Sequence, residues 1–352
     1  MKIIHCADLH LGSKIDSKFP REISESRKEE VRNSLKRMVE YANEHLIDVI
    51  VLAGDVFDCD KPFKKDKDFF FSVVGNNPDI DFLYLRGNHD SLGEHRELPN
   101  LKTFSSAWTA YEYGDVTICG AEIVKENATS LYSTLALNPA RKNIVALHGQ
   151  ISDSSGVDKV NLNKLRGKHI DYLALGHIHE YKTGVLDERG VWAYSGCLEG
   201  RGFDETGEKG FIVLDVGEKI THTFVPFSIR KIERRQLDVT GKTDGYTAYL
   251  QAQGCFSFDK RDIYRIELVG ELDASVDSFA SDLKKHLSDI CLFADVKDLT
   301  KKKIDIRAYE GDTSLKGEFV RTVYANTEYT DEEKAQILAF GLRALDDREV
   351  EA

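Results

Sequence analysis

KIIHCADLHLG, residues 2–12, is the stretch from which the fold can be read. Lys2–Ala7 is a short run suited to a buried strand, and it passes without a spacer into Asp8-Leu9-His10. The same pattern returns in VIVLAGD (49–55), FLYLRGNHD (82–90), IVALHG (144–149) and YLALGHIH (172–179). Each is an apolar run that ends in Asp, Asn or His. Runs without polar interruption are what strands need when both faces of their sheet are covered. Between the first two runs, Val31, Leu35, Met38, Val39, Ala42 and Leu46 recur at helical spacing, and Lys67–Val74 also reads as a helix. The chain therefore opens as βαβαβ. Further strands are expected at Thr117–Ala121, Val191–Ser195 and Phe211–Val216. The expected arrangement is α/β, two packed sheets with helices outside.

Ligands of open sheets gather beyond the carboxyl ends of the strands. Those ends carry Asp8, His10, Asp55, Asn88, His148, His177 and His179, with His89 left over. Any one fragment is a common accident; the set is not. It offers two carboxylates, a carboxamide and four imidazoles, and no thiolate. That argues against a structural zinc or iron–sulfur site and suits Mn, Fe or Zn. Seven donors exceed the needs of one ion and fit two that share Asp55. Two divalent ions against two carboxylates leave a cationic centre, which would attract a phosphate and stabilise charge building on it. His89 follows Asn88 and precedes Asp90. It is either a proton donor oriented by Asp90 or one more ligand.

At 352 residues the chain exceeds one average core, and its net charge of −12 rules out a generally basic surface for holding a polyanion. Six scattered cysteines without a CxxC read as reduced thiols in a cytoplasmic protein. No run approaches 18 apolar residues, so no membrane span is expected, and the ligand motif at residues 8–10 speaks against a signal peptide. A break falls near Pro226–Arg235. The expected divisions are 1–229, 230–312 and 313–352. The middle part should hold a strand at Tyr264–Leu268, a helix lined by Val276, Phe279, Ala280, Leu283 and Leu287, and a closing strand at Ile304–Arg307. Two amphipathic helices, Ser314–Tyr324 and Asp331–Leu345, should form the tail, the second opened by a capping box of Thr330 and Glu333. Their apolar stripes read as Leu315, Phe319, Val320, Val323, Tyr324 and as Ile337, Phe340, Gly341, Ala344, Leu345.

The order Asp8-x-His10, Gly54-Asp55, Gly87-Asn88-His89-Asp90, His148-Gly149, Gly176-His177-x-His179 resembles the calcineurin-like metallophosphoesterase superfamily. Within it, ADLHLG (7–12), AGDVFD (53–58), LRGNHD (85–90), LHGQ (147–150) and LALGHIH (173–179) resemble the SbcD type of DNA exonuclease subunit, as does YSGCLEGRGFDETGEKGF (194–211). The resemblance implies a four-layer sandwich with a small C-terminal α/β capping domain. It implies one metal on Asp8, His10, Asp55 and His179 and another on Asp55, Asn88, His148 and His177. It also implies His89 as catalytic histidine, Mn²⁺ as the activating ion, DNA as substrate, a homodimer, and an SbcC-like ATPase subunit held by the segment after the cap. Asp58 departs from the pattern, because some relatives carry His there.

Other residues keep two readings. Asp58 is a turn residue, a support to the ligands or a substrate contact. Arg201, with Lys209, touches a nucleic-acid backbone or sits in an ordinary charged loop. Phe69, Phe70, Phe71, Val73 and Val74 serve the core or a dimer interface. For function, the leading expectation is a metal-dependent phosphodiesterase acting on DNA in repair. A phosphoesterase for small molecules or phosphoproteins is the alternative, and a scaffold for the ATPase is a third.

Overall fold

The computed structural model describes all residues except 16, 60, 89–96, 274–275, 277, 304–305 and 346–352. The chain divides into two compact units, Met1–Lys231 and Ile232–Ala352.

In the first unit the elements run β1 (Lys2–Cys6), α1 (Arg21–Glu44), β2 (Val49–Ala53), α2 (Lys64–Gly75), β3 (Asp81–Leu85), β4 (Leu101–Thr103), β5 (Thr109–Tyr113), β6 (Val116–Gly120), β7 (Lys142–His148), β8 (Gln150–Ile151), β9 (Lys159–Val160), α3 (Leu162–Leu165), β10 (Tyr172–Gly176), β11 (Lys182–Val185), β12 (Val191–Tyr194), β13 (Gly210–Val216) and β14 (Ile220–Pro226). Two six-stranded sheets result, ordered β14-β13-β1-β2-β3-β4 and β11-β12-β10-β7-β6-β5. Strands β1 to β4 are parallel, as are β6, β7, β10 and β12, so their carboxyl ends lie along one edge of each sheet. Antiparallel strands close the flanks.

The unbroken apolar runs have a simple cause. Successive residues face opposite ways, and both sides are covered. Ile3, Val49, Val51, Leu83 and Leu85 meet Ile118, Ile144, Ala146, Tyr172 and Ala174 between the sheets. Ile4, Ile50, Leu52 and Phe82 pack outward under Val31, Leu35, Met38 and Ala42 of α1 and Phe70, Phe71, Val73 and Val74 of α2. The outer layer of the second sheet is thinner, built from a 3₁₀ turn at Leu131–Thr134, the single turn α3 and the loops around them. The phenylalanines of α2 are therefore mostly spent in their own core. Only Phe69 is left partly exposed, beneath the ammonium of Lys36 at 5.4 Å from its ring. The excess apolar content that suggested a dimer face is explained by this packing.

A buried ion network ties α1 to the segment that follows β12. Arg27, fully buried, donates to Glu199 at 3.0 Å and to the Gly200 carbonyl at 2.6 Å, and it also pairs with Glu30. Glu199 further accepts from Ser34 Oγ and Ile229 N, each at 2.6 Å, and Arg230 returns to Glu30. Burial raises the Glu199 pKa, against the pull of Arg27.

The second unit contains β15 (Ile232–Asp238), α4 (Gly245–Cys255), β16 (Ile263–Val269), β17 (Glu271–Asp273), α5 (Ala280–Leu287), β18 (Phe293–Asp298), β19 (Lys301–Lys303), α6 (Leu315–Ala325) and α7 (Asp331–Leu345). A parallel sheet β15-β16-β18 carries α4 and α5 over Leu237, Tyr264, Ile266 and Leu268. Val276 lies ahead of α5 rather than in it. The strand expected at Ile304–Arg307 is absent among its described residues. Ile306–Tyr309 form a 3₁₀ turn, and β19 pairs instead with β17. Ser314 caps α6, and Thr330 and Glu333 form the expected reciprocal box, Glu333 accepting from Thr330 N at 2.8 Å. The tail helices pack on each other through Val320, Val323, Leu338 and Leu342. Of the expected α7 stripe, Ile337 packs against this cluster and Gly341 meets Phe319, whereas Leu338 and Leu342 join the contact and Phe340 remains 48% exposed. A Cβ on Gly341 would stand 2.0 Å from the Phe319 ring, so the missing side chain lets that ring sit against the helix. Among the described residues no helix is long and apolar enough to cross a membrane.

Removing one partner of a buried ion pair strands the other charge, which costs about 3–5 kcal/mol. Arg27→Ala should therefore lower the stability of the first unit by that amount. Urea unfolding followed by fluorescence checks it, since both tryptophans, Trp108 and Trp192, lie in this unit. A loss below about 1 kcal/mol would show that the network is not holding charge out of water.

Candidate metal centre

The parallel strands deliver polar side chains to one place. Asp8 and His10 follow β1, Asp55 follows β2, Asn88 follows β3, His148 ends β7, and His177 and His179 follow β10. The two sheets are joined here directly, for the Asp8 carboxylate accepts the His177 backbone N–H with both oxygens at 3.0 Å. To turn inward so abruptly the backbone takes up left-handed conformations at non-glycine residues: Asp8 (φ 55°), His10 (φ 46°), Asp55 (φ 52°) and His177 (φ 104°). Each costs about 1–3 kcal/mol and persists only where the surroundings over-determine it. Here the turns after β1 and β2 brace each other, through Asp8 N to Gly54 O at 3.0 Å, His10 N to Asp55 O at 2.9 Å and Leu11 N to Val56 O at 2.8 Å.

The imidazoles are oriented from behind. His10 Nδ1 meets Asp58 Oδ1 at 3.0 Å, His179 Nδ1 meets Glu205 Oε1 at 2.7 Å, and His148 Nδ1 meets the Ala53 carbonyl at 2.9 Å. An acceptor on Nδ1 favours the tautomer with its proton there, which turns an Nε2 lone pair to the interior; His179 Nδ1 also lies 3.2 Å from Arg201 Nη2. The result is a crowd of acceptors. His10 Nε2 and His179 Nε2 are 3.1 Å apart, and His148 Nε2 lies 3.0 Å from Asn88 Oδ1 and 3.4 Å from Asp55 Oδ2. Asp55 Oδ2 is also 3.8 Å from His10 Nε2, so this carboxylate stands between the two histidine sets.

Among the described residues two donor groups are compact enough for an ion. Those of Asp8, His10 and His179 lie within 4.8 Å of one another, and so do those of Asp8, Asp55 and His148. Asp8 and Asp55 are each only 1% exposed. Burial pushes the Asp8 carboxyl above its ordinary value, although His148, His179 and His10 pull the other way. Burial would lower the His148 pKa, yet Asp55 and Asp8 raise it to about 9. The pocket therefore favours positive charge at the His148 lone pair. Inward-facing imidazole nitrogens beside buried carboxylates are what a divalent cation fits, taking the place of a proton such as the one His148 favours.

All seven ligand-type residues of the sequence reading come together here, His177 with Nδ1 at 3.4 Å from Asn88 Oδ1. His89 and Asp90 lie outside the described residues. Asp58 supports His10, as above. Arg201 does not reach outward to a substrate: its side chain is 16% exposed and is engaged by Asp58 at 3.0 Å and Glu205 at 2.6 Å. Lys209 is likewise turned in, donating to the His179 carbonyl at 2.7 Å. Glu205 is the participant that the sequence did not expose. It sits among other acidic residues in 194–211, and nothing local distinguishes it from Glu199 or Glu208.

Residues 1–181 match the family model "Calcineurin-like phosphoesterase". The chain is 30% identical over 279 residues to the uncharacterized metallophosphoesterase YhaO of Bacillus subtilis (strain 168), covering 73% of this chain and 68% of that one. It is 26% identical over 337 residues to the DNA double-strand break repair protein Mre11 of Sulfurisphaera tokodaii, covering 86% and 82%. A shorter match, 33% over 106 residues, joins it to a subunit of the nuclease SbcCD of Escherichia coli (strain K12), covering 30% of this chain and 25% of that one.

A cation that binds only the folded state stabilises it by about 2.7 kcal/mol at a hundred times its dissociation constant. Mn²⁺ should accordingly raise the melting temperature and EDTA reverse the rise. Gly54 has φ +98°, and a Cβ there would fall 2.1 Å from His148 Nδ1. Gly54→Ala should then lower the melting temperature and blunt the Mn²⁺-induced rise. An undiminished rise in the variant would mean that His148 does not help to hold the cation.

Proposed function

The chain belongs to the calcineurin-like phosphoesterase family, and on that premise we propose that it is a DNA phosphodiesterase working through two divalent cations, as the nuclease subunit of a repair complex. One observation carries the catalytic part. Donors from both sheets converge with their lone pairs inward, His10 Nε2 against His179 Nε2 at 3.1 Å. In this reading Asp8, His10, Asp55 and His179 hold one ion, and Asp55, Asn88, His148 and His177 hold the other. Two bound cations, Mn²⁺ in the proposal, would supply Lewis-acid charge for a phosphoryl group and lower the pKa of a water so that, deprotonated, it could act as the nucleophile.

The chain's own groups do the rest. Asp58, Glu205 and the Ala53 carbonyl keep the rings of His10, His179 and His148 as acceptors toward the interior. The near-complete burial of Asp8 and Asp55 keeps competing water from their carboxylates. His89, next to Asn88 in the chain, is the proposed proton donor to the leaving oxygen, with Asp90 beside it.

DNA as the substrate is supported by the similarity to Mre11 over most of the chain and to the SbcCD nuclease over part of it. A second α/β unit follows the phosphoesterase unit, more chain than hydrolysis of a small ester requires. We include an SbcC-like ATPase among the partners, with the tail helices as its seat: Leu315, Tyr324 and Phe340 are exposed on α6 and α7. A homodimer and action in the cytoplasm, on DNA recombination as well as repair, complete the proposal. A phosphoesterase for small molecules or phosphoproteins would use the same donors, and the similarity to YhaO is compatible with either.

The deciding experiment is a substrate panel in Mn²⁺: single- and double-stranded DNA, an aryl phosphodiester and an aryl phosphomonoester. DNA and the diester should be cleaved, and EDTA should abolish this. Asp55→Asn should reduce turnover together with metal content. His89→Ala should keep the metals while losing about 10²–10⁴-fold in rate. Rapid monoester turnover with intact DNA would overturn the nuclease reading.

A further inference from the structure

The two halves of the donor set are supported by different chemistry. A single guanidinium stands behind one of them. Arg201 Nη1 donates to Asp58 Oδ1 at 3.0 Å, the oxygen that also receives the His10 ring. Arg201 Nη2 donates to Glu205 Oε1 at 2.6 Å, the oxygen that also receives the His179 ring at 2.7 Å. Its Nε adds bonds to both Glu205 oxygens at 3.1 and 3.2 Å, and its backbone N–H adds another at 2.7 Å. One planar cation thus links two carboxylates, and each carboxylate fixes one imidazole. Those imidazoles are the pair whose Nε2 atoms face each other at 3.1 Å.

In the other half the support differs. His148 is held through Nδ1 by the neutral Ala53 carbonyl at 2.9 Å, and His177 turns its Nδ1 toward its fellow donor Asn88 Oδ1 at 3.4 Å. Charge-assisted bonds are roughly twice as strong as neutral ones. Carboxylates behind ligating histidines also raise ligand basicity and fix ring orientation. The clamp itself is anchored, because the preceding residues Glu199 and Gly200 are gripped by buried Arg27 at 3.0 and 2.6 Å.

We propose that Arg201 and Glu205 are positioning residues that make the two cation positions unequal. The side built on Asp8, His10 and His179 is held ready and binds first and tightly. The side built on Asn88, His148 and His177 is less constrained and fills second. The inference rests on the dinuclear reading above and deepens it: enzyme activity would track occupancy of the weaker position, while the stronger one stays loaded.

The test is a titration of the metal-free full-length chain with Mn²⁺, followed by calorimetry and by the electron paramagnetic resonance of free Mn²⁺. The parent should show two classes of site. Glu205→Ala should weaken the tighter class by about 10–100-fold and leave the weaker class in place. Glu205→Gln, which keeps an acceptor for the His179 ring, should recover part of the loss, and Arg201→Ala should move the same class. Melting in EDTA reports whether each variant folds; should Glu205→Ala fail, Glu205→Gln and Arg201→Lys are judged by the same rule. The inference is overturned if both classes weaken equally, if neither moves, or if Gln is no better than Ala at position 205. Absence of Mn²⁺ binding by the parent would instead overturn the dinuclear reading on which it rests.

Discussion

The contact on which the first unit's chemistry depends is the one between the Asp8 carboxylate and the backbone N–H of His177, 3.0 Å to each oxygen. It joins the end of a strand in one sheet to the end of a strand in the other. A sandwich held only by apolar contacts between its layers can slide, because such packing is not directional. A buried carboxylate with a fixed backbone partner cannot. With Asp8 set, the turns after β1 and β2 brace each other, and beyond β10 His179 Nε2 comes to lie 3.9 Å from Asp8 Oδ1.

That arrangement works against stability in two ways. Four donors sit on left-handed backbone, and two carboxylates are withdrawn almost wholly from water. The opposing contribution comes from elsewhere in the unit: the apolar layer between the sheets, the α1–α2 layer outside them, and the Arg27–Glu199 network under the loop that carries Arg201. Strain concentrated at a site and offset by the surrounding packing is what is expected where geometry serves function.

Much of this was legible because it is local. An apolar run followed by Gly and a ligand-type residue states both the strand and what its end presents, and all seven donors so marked do converge. Relations across the chain were not legible in the same way. Arg201 reads as a surface cation until Asp58 and Glu205 are seen on either side of it, and Glu205 reads as one acidic residue among several. The apolar content of α2 suggested a partner because its own core could not be counted from the sequence. On α7 the stripe was only partly legible for a different reason: apolar residues occupy two adjacent faces of AQILAFGLRAL (335–345), and Leu338 and Leu342 meet α6 beside Ile337 and Gly341.

The pairing of Asp8 with His177 also spans 169 positions of chain, and His10 with His179 spans the same distance. Contacts so remote in sequence form late, since the intervening loop must lose its freedom before they return anything. During synthesis the first ligand-type residues leave the ribosome long before their partners exist. The donor set is complete only when β10 has docked beside β7 and both sheets are in place, so in the dinuclear reading metal loading would report completion of the unit.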